Sequence, residues 1–214
     1  MTKLLNGITA LLLTATLAAP ASATIVGGAV TGFGDPGAAF VILDPAPGQV
    51  GLDNQESIDL YGFNEGQNIP IAAQLGVDVG TNPQAGDIVA SHYVFFDPAN
   101  RTQIQGYVDF DSDIFGIITS TNLLIASDFL ISNGVTYNSP ALRGLEPNED
   151  FVSIGLDDDG YSRRLYIDFT ADSPGDYVRV LTTLSPGADI PEPGMIAIFG
   201  LALAGLGLRM RRRS

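Results

Sequence analysis

Across residues 24–189 the apolar positions come in short runs, interrupted every few residues by glycine, proline, asparagine or aspartate. Runs of this length suit strands, whereas a helix needs a longer stretch at a 3.6-residue period. The pattern predicts strands at 39–43, 57–63, 88–96, 103–110, 114–119, 151–155, 165–170 and 177–183. In Tyr177-Val178-Arg179-Val180-Leu181-Thr182 the two valines face one way and Tyr177 and Arg179 the other, the alternation of a half-buried strand. One helix is predicted over 122–131. Asp159-Gly160 suits a tight hairpin turn, because both residues accept positive φ, and Ser173-Pro174-Gly175-Asp176 suits a type II turn. The fold class implied is all-β: an antiparallel β-sandwich, with jelly-roll-like or barrel closure as variants.

Both ends depart from this pattern. Lys3 precedes an apolar stretch at 4–19, and Ala21-Ser22-Ala23 is the small-residue pattern that signal peptidase reads. Residues 1–23 are therefore expected to be a signal peptide, cleaved before Thr24. Near the other end, residues 194–208 are uncharged and mostly apolar, and Arg209, Arg211, Arg212 and Arg213 follow. As a helix this segment reaches about 22 Å, against about 30 Å of bilayer hydrocarbon, so it makes a short and marginal transmembrane helix. The arginine cluster acts as a cytoplasmic stop-transfer signal by the positive-inside rule. That places 24–189 outside the cytoplasm, in agreement with the signal peptide.

Pro191-Glu192-Pro193, the apolar segment and the arginine cluster together resemble the PEP-CTERM sorting signal, over residues 190–214. Ile190 and Met195 depart from the valine and the small hydroxyl residue usual at those places, and the three-part layout is intact. The prolines keep the chain extended beside the membrane, where a protease can read it. The resemblance implies an exosortase-like membrane protease as partner and a transient C-terminal anchor in the inner membrane. It also implies release to the cell surface or extracellular matrix, in association with exopolysaccharide or biofilm. Within the domain, Ser91-His92-Tyr93-Val94-Phe95-Phe96-Asp97-Pro98, Arg143-Gly144-Leu145-Glu146-Pro147 and Pro174-Gly175-Asp176-Tyr177-Val178-Arg179-Val180 are similar to a globular segment of such proteins. That segment brings no assigned activity, so no site residue is carried over.

Charge and composition narrow the chemistry. The formal net charge is −14 although both ends are basic, and between Thr24 and Asp189 the only cations are Arg101, Arg143, Arg163, Arg164 and Arg179. Such a surface repels phosphate backbones, which argues against nucleic acid as a partner. Without cysteine there is no disulfide or thiol chemistry, and with His92 as the only histidine the usual zinc sites are excluded. A phosphate-binding loop needs a lysine, and no nucleophile elbow occurs. His92 reads as an ordinary strand residue at a surface or core edge. No catalytic residue emerges, and the expectation is a non-catalytic protein that requires no cofactor.

Two other readings stay open. One is a calcium-supported carbohydrate-binding or adhesion module, the other a secreted polysaccharide hydrolase built on two carboxylates. Tyr61, Tyr107 and Tyr161 could stack on sugars, though strand packing is their more ordinary use. The candidate calcium ligands are Asp109, Asp111 and Asp113, which would share one face if 109–113 were a strand, with about 6.7 Å between neighbours. Asp157-Asp158-Asp159 is a second acidic run. A solvated acidic face explains both runs more simply.

Overall fold

Strands form where the short apolar runs predict them, and a few more join. In the computed structural model, which describes residues 23–51, 53–131 and 134–184, they are β1 (Ile25–Gly32), β2 (Phe40–Ile42), β3 (Gln49–Val50), β4 (Leu60–Asn64), β5 (Ile69–Pro70), β6 (Val79–Gly80), β7 (Ile88–Phe96), β8 (Thr102–Phe110), β9 (Ile114–Ile118), β10 (Thr136–Tyr137), β11 (Phe151–Gly155), β12 (Arg164–Ala171) and β13 (Asp176–Thr182). The predicted transmembrane segment, Pro191-Glu192-Pro193, the arginine cluster and all but the last residue of the predicted signal peptide lie outside the described residues. The predicted helix is shorter than expected: α1 covers Thr121–Ala126, and a 3-10 turn follows at Asp128–Leu130. Ser127 separates the two by donating its hydroxyl to the Leu124 carbonyl at 3.0 Å.

Among the described residues the strands assemble into separate sheets, and the barrel variant does not occur. One sheet has the order β1-β8-β12-β11, antiparallel throughout. The larger has the order β2-β4-β7-β13-β9-β6, with β5 alongside β7. The expectation of wholly antiparallel pairing needs correction, because β2 runs parallel to β4 and β10 parallel to β3. Both parallel pairs are short: β2 and β4 lie at one margin of the larger sheet, and β10 and β3 form a two-stranded sheet of their own, each pair joined through a long connection that brings the chain back in the same direction.

Two apolar clusters explain the order. In the first, Val108, Phe110, Leu165 and Phe169 of the four-stranded sheet meet Leu60, Val94, Phe96, Ile117, Val178 and Val180 of the larger sheet. The second lies on the larger sheet's opposite face, where Phe63, Tyr93, Phe95, Tyr177 and Leu181 pack beneath Leu124 and Leu130 of the helical segment. Both faces of the central strands are thus covered, and all seven residues of β13 are buried. The expectation of a half-buried strand there is corrected. The alternation is present, but Tyr177 and Arg179 point into a second core.

Both predicted turns are displaced. Asp159-Gly160 lies within the longer 156–163 connection, where Gly160 has φ +84° and its N–H donates to the Asp157 carbonyl at 3.1 Å. The Asp157 carboxylate also accepts the amides of Asp159 and Tyr161 at 3.0 and 2.8 Å, so the aspartate organises the loop locally. Ahead of β13, the Gly175 amide donates to the Asp172 carbonyl at 2.5 Å, which sets the turn one residue earlier than predicted. Pro174 then occupies its third position, where a type II turn needs a positive φ that proline cannot adopt, so the turn is not type II.

Candidate functional site

The predicted calcium ligands part company because the strand ends at Phe110. Asp109 points outward from β8 into a two-pronged ion pair, Arg164 donating from Nε at 2.6 Å and Nη2 at 2.8 Å. Asp111 lies past the strand end and accepts the Thr24 amide at 2.9 Å and its hydroxyl at 3.3 Å. Asp113 is half exposed, 3.6 Å from Arg163. Each of the three thus meets its own partner: Arg164, Thr24 and Arg163 in turn. The other acidic run likewise has local duties, Asp157 in its turn and Asp158 beside Arg164 at 3.3 Å.

Asp109 and Arg164 belong to a broader surface, the outer face of the four-stranded sheet. Strand register lines up outward side chains in rows: Gln105, Asp168 and Phe151 in one, Tyr107, Tyr166 and Ser153 in the next, then Asp109 and Arg164. Phe151 is 60% exposed and Tyr166 43%. Asp168 accepts the side-chain amides of Gln103 and Gln105 at 2.8 and 2.7 Å, which fixes both amides. Arg164 lies 4.0 Å above the Tyr107 ring, and the Tyr107 and Tyr166 rings meet edge-on at 6.5 Å. Gly155 makes room for this: a Cβ there would stand 2.2 Å from the Tyr166 ring.

His92 is fully buried in β7, not at a core edge as expected. Its Nδ1 lies 2.8 Å from Asn64 Oδ1 and its Nε2 3.0 Å from the Thr182 hydroxyl. Asn64 Oδ1 also accepts the Ile25 amide at 3.1 Å, so Nδ1 carries the proton and Nε2 accepts. Burial lowers the ring's pKa to about 3, leaving a neutral, packed imidazole.

Sequence reasoning missed a convergence of other carboxylates. Ligand oxygens of Glu146, Asp150 and Asp176 lie within 4.8 Å of one another. Asp176 begins β13, Asp150 directly precedes β11, and Glu146 lies on the loop before it. The Asp150 oxygens accept the Thr170 and Glu146 amides, each at 2.8 Å. Burial, reinforced by Asp150 and Glu146, pushes the Asp176 carboxyl up to about 9. No single run in the sequence marks this trio, because Glu146 and Asp150 share the loop ahead of β11 while Asp176 joins them from the start of β13.

The C-terminal region supplies a different kind of finding. Residues 189–213 match the family model of the PEP-CTERM protein-sorting motif. The chain carries that sorting signal. The PEP-CTERM motif implies a protein exported from the cytoplasm and sorted by an exosortase, a membrane-associated system. No curated protein and no solved structure matches the chain significantly.

Proposed function

We propose that the protein is a non-catalytic component of the cell surface or extracellular matrix, displayed after exosortase processing as a β-sandwich that contacts exopolysaccharide. The address rests on the PEP-CTERM signal. The membrane segment holds the precursor in the inner membrane until cleavage near Pro191-Glu192-Pro193. Mass spectrometry of the surface-exposed protein from the native host should then find neither the arginine cluster nor Ser214. Intact Arg211-Arg212-Arg213-Ser214 on that form would refute the processing.

One observation carries the polysaccharide reading: the outer face that sets Phe151, Tyr107 and Tyr166 beside the Gln103, Gln105 and Asp168 network. Sugar rings offer apolar faces to aromatic side chains and hydroxyls to fixed amides and carboxylates, and these groups stand on rigid strands. Retention of the protein on immobilised host exopolysaccharide is the test. Tyr166→Ala and Phe151→Ala should each weaken retention roughly 2- to 13-fold, the span of about 0.5–1.5 kcal/mol for an aromatic contact. Equal retention of both variants, or equal binding to unrelated glycans, would refute it.

A further inference from the structure

Asp176 is 1% exposed, and its Oδ2 is enclosed without a hydrogen-bond donor. A buried carboxyl oxygen in that state is costly unless a proton or a cation reaches it. Its neighbours make a cation the better match. The oxygens of Glu146, Asp150 and Asp176 fall within 4.8 Å of one another, which is about twice a calcium–oxygen bond of 2.3–2.6 Å. One ion between them would touch all three. A recess of about 80 Å³ opens at this point, and Glu149 and Asp172 add further negative charge to its lining. The cation on that lining is Arg101, whose partner is Glu149 at 2.6 Å, with both side chains about half exposed.

Asp150 is held ready by the Thr170 and Glu146 amides. Each carboxylate oxygen that accepts one amide keeps a second lone pair for a metal. We propose that Glu146, Asp150 and Asp176 bind a calcium ion, distinct from the acidic run at 109–113. The donors are all hard oxygens, which excludes the thiolate and imidazole chemistry favoured by zinc. Calcium accepts six to eight ligands in irregular geometry, and the exposed Glu146 side leaves room for water to complete them. Magnesium demands a stricter octahedron.

The test uses full-length protein in detergent, stripped with chelator and titrated calorimetrically with calcium chloride and, separately, magnesium chloride. One calcium per chain is expected, with binding at least tenfold weaker for magnesium and an unfolding temperature several degrees higher in saturating calcium. Glu146→Gln, at the mouth, should weaken calcium binding at least tenfold without lowering the unfolding temperature in chelator, since it removes a negative charge beside Asp150 and Asp176. Asp176→Asn should abolish binding, and if that variant does not fold, Glu146→Gln carries the test. Three results would overturn the site: no calcium uptake at millimolar concentration, the outcome expected if a proton alone satisfies Asp176; calcium uptake unaffected by Glu146→Gln; or magnesium binding as tight as calcium.

Discussion

Replacing Arg179 by methionine should cost more stability than any other single exchange of an arginine in this domain. Arg179 heads the fully buried side chains by volume. It donates from Nε and Nη2 to the two Glu65 oxygens at 2.7 and 2.9 Å, and from Nη1 to the Leu124 carbonyl and Ser127 hydroxyl at 3.0 and 2.6 Å. Burial alone would lower its pKa, yet the Glu65 carboxylate more than offsets that, and the guanidinium is held above its ordinary value. Ser91 and Tyr137 donate their hydroxyls to the same carboxylate. Methionine fills a similar volume, so the loss is electrostatic: Glu65 stays buried with its charge unopposed. Breaking such a pair from one side costs about 3–5 kcal/mol. With a urea slope of about 2 kcal/mol/M, the unfolding midpoint of the full-length protein should fall by roughly 2 M.

A paired exchange separates the charge from the packing. Arg179→Met with Glu65→Leu removes both charges, and apolar replacement of a buried pair is often close to neutral. Ser91 and Tyr137 would lose an acceptor, so recovery should be partial. The double variant should be at least about 1.5 kcal/mol more stable than the sum of the single losses. A loss below about 1 kcal/mol for Arg179→Met, or simple additivity, would refute the argument.

Two further outcomes follow from the geometry. His92 has a pKa near 3 in the fold against 6.5 in the free side chain, so its contribution is intact above pH 6.5 and is lost as pH falls toward 3. Between pH 7.5 and pH 5 urea unfolding should show about 1–2 kcal/mol more loss for the native chain than for His92→Gln; equal losses would contradict the buried, neutral ring. Cleavage before Thr24 would turn the amide that faces Asp111 at 2.9 Å into an ammonium group, strengthening that contact. Asp111→Asn should therefore destabilise the processed protein by about 1–2 kcal/mol and the uncleaved precursor by less; matched urea midpoints would refute this.

The strands that could be read from the chain are those whose burial is two-sided or cleanly alternating. β7 and β11 fall where predicted, and β8, β9, β12 and β13 within about a residue at either end. β1 was not predicted, because Gly27, Gly28 and Gly32 break its apolar pattern. The structure shows why Gly28 is there: a Cβ would come within 2.6 Å of the Phe40 ring and the Tyr107 carbonyl. A close approach between strands reads locally as a turn signal. Likewise Arg179 has the spacing of a solvent-facing residue, and its burial is made tolerable by partners distant in sequence, the Glu65 carboxylate first and then the Leu124 carbonyl and Ser127 hydroxyl. Spacing reports which face a residue takes; it says nothing about what covers that face.

The same limit governs the acidic clusters. The alternating aspartates at 109, 111 and 113 attract attention because a continuous strand would set all three on one face, but β8 ends at Phe110 and only Asp109 lies on it. Each then meets a separate partner: Arg164 for Asp109, Thr24 for Asp111, Arg163 for Asp113. Glu146 and Asp176 are far apart in sequence, and the fold brings them together by setting the start of β13 against the loop ahead of β11. Pairing and crowding sort the carboxylates in opposite directions. Asp109 answers an arginine and is electrostatically spent, whereas Asp176 faces other carboxylates with one oxygen lacking a donor. A cation gains most where negative charge is concentrated and unanswered, and in this fold that place is built by tertiary contact, not by a run of acidic residues.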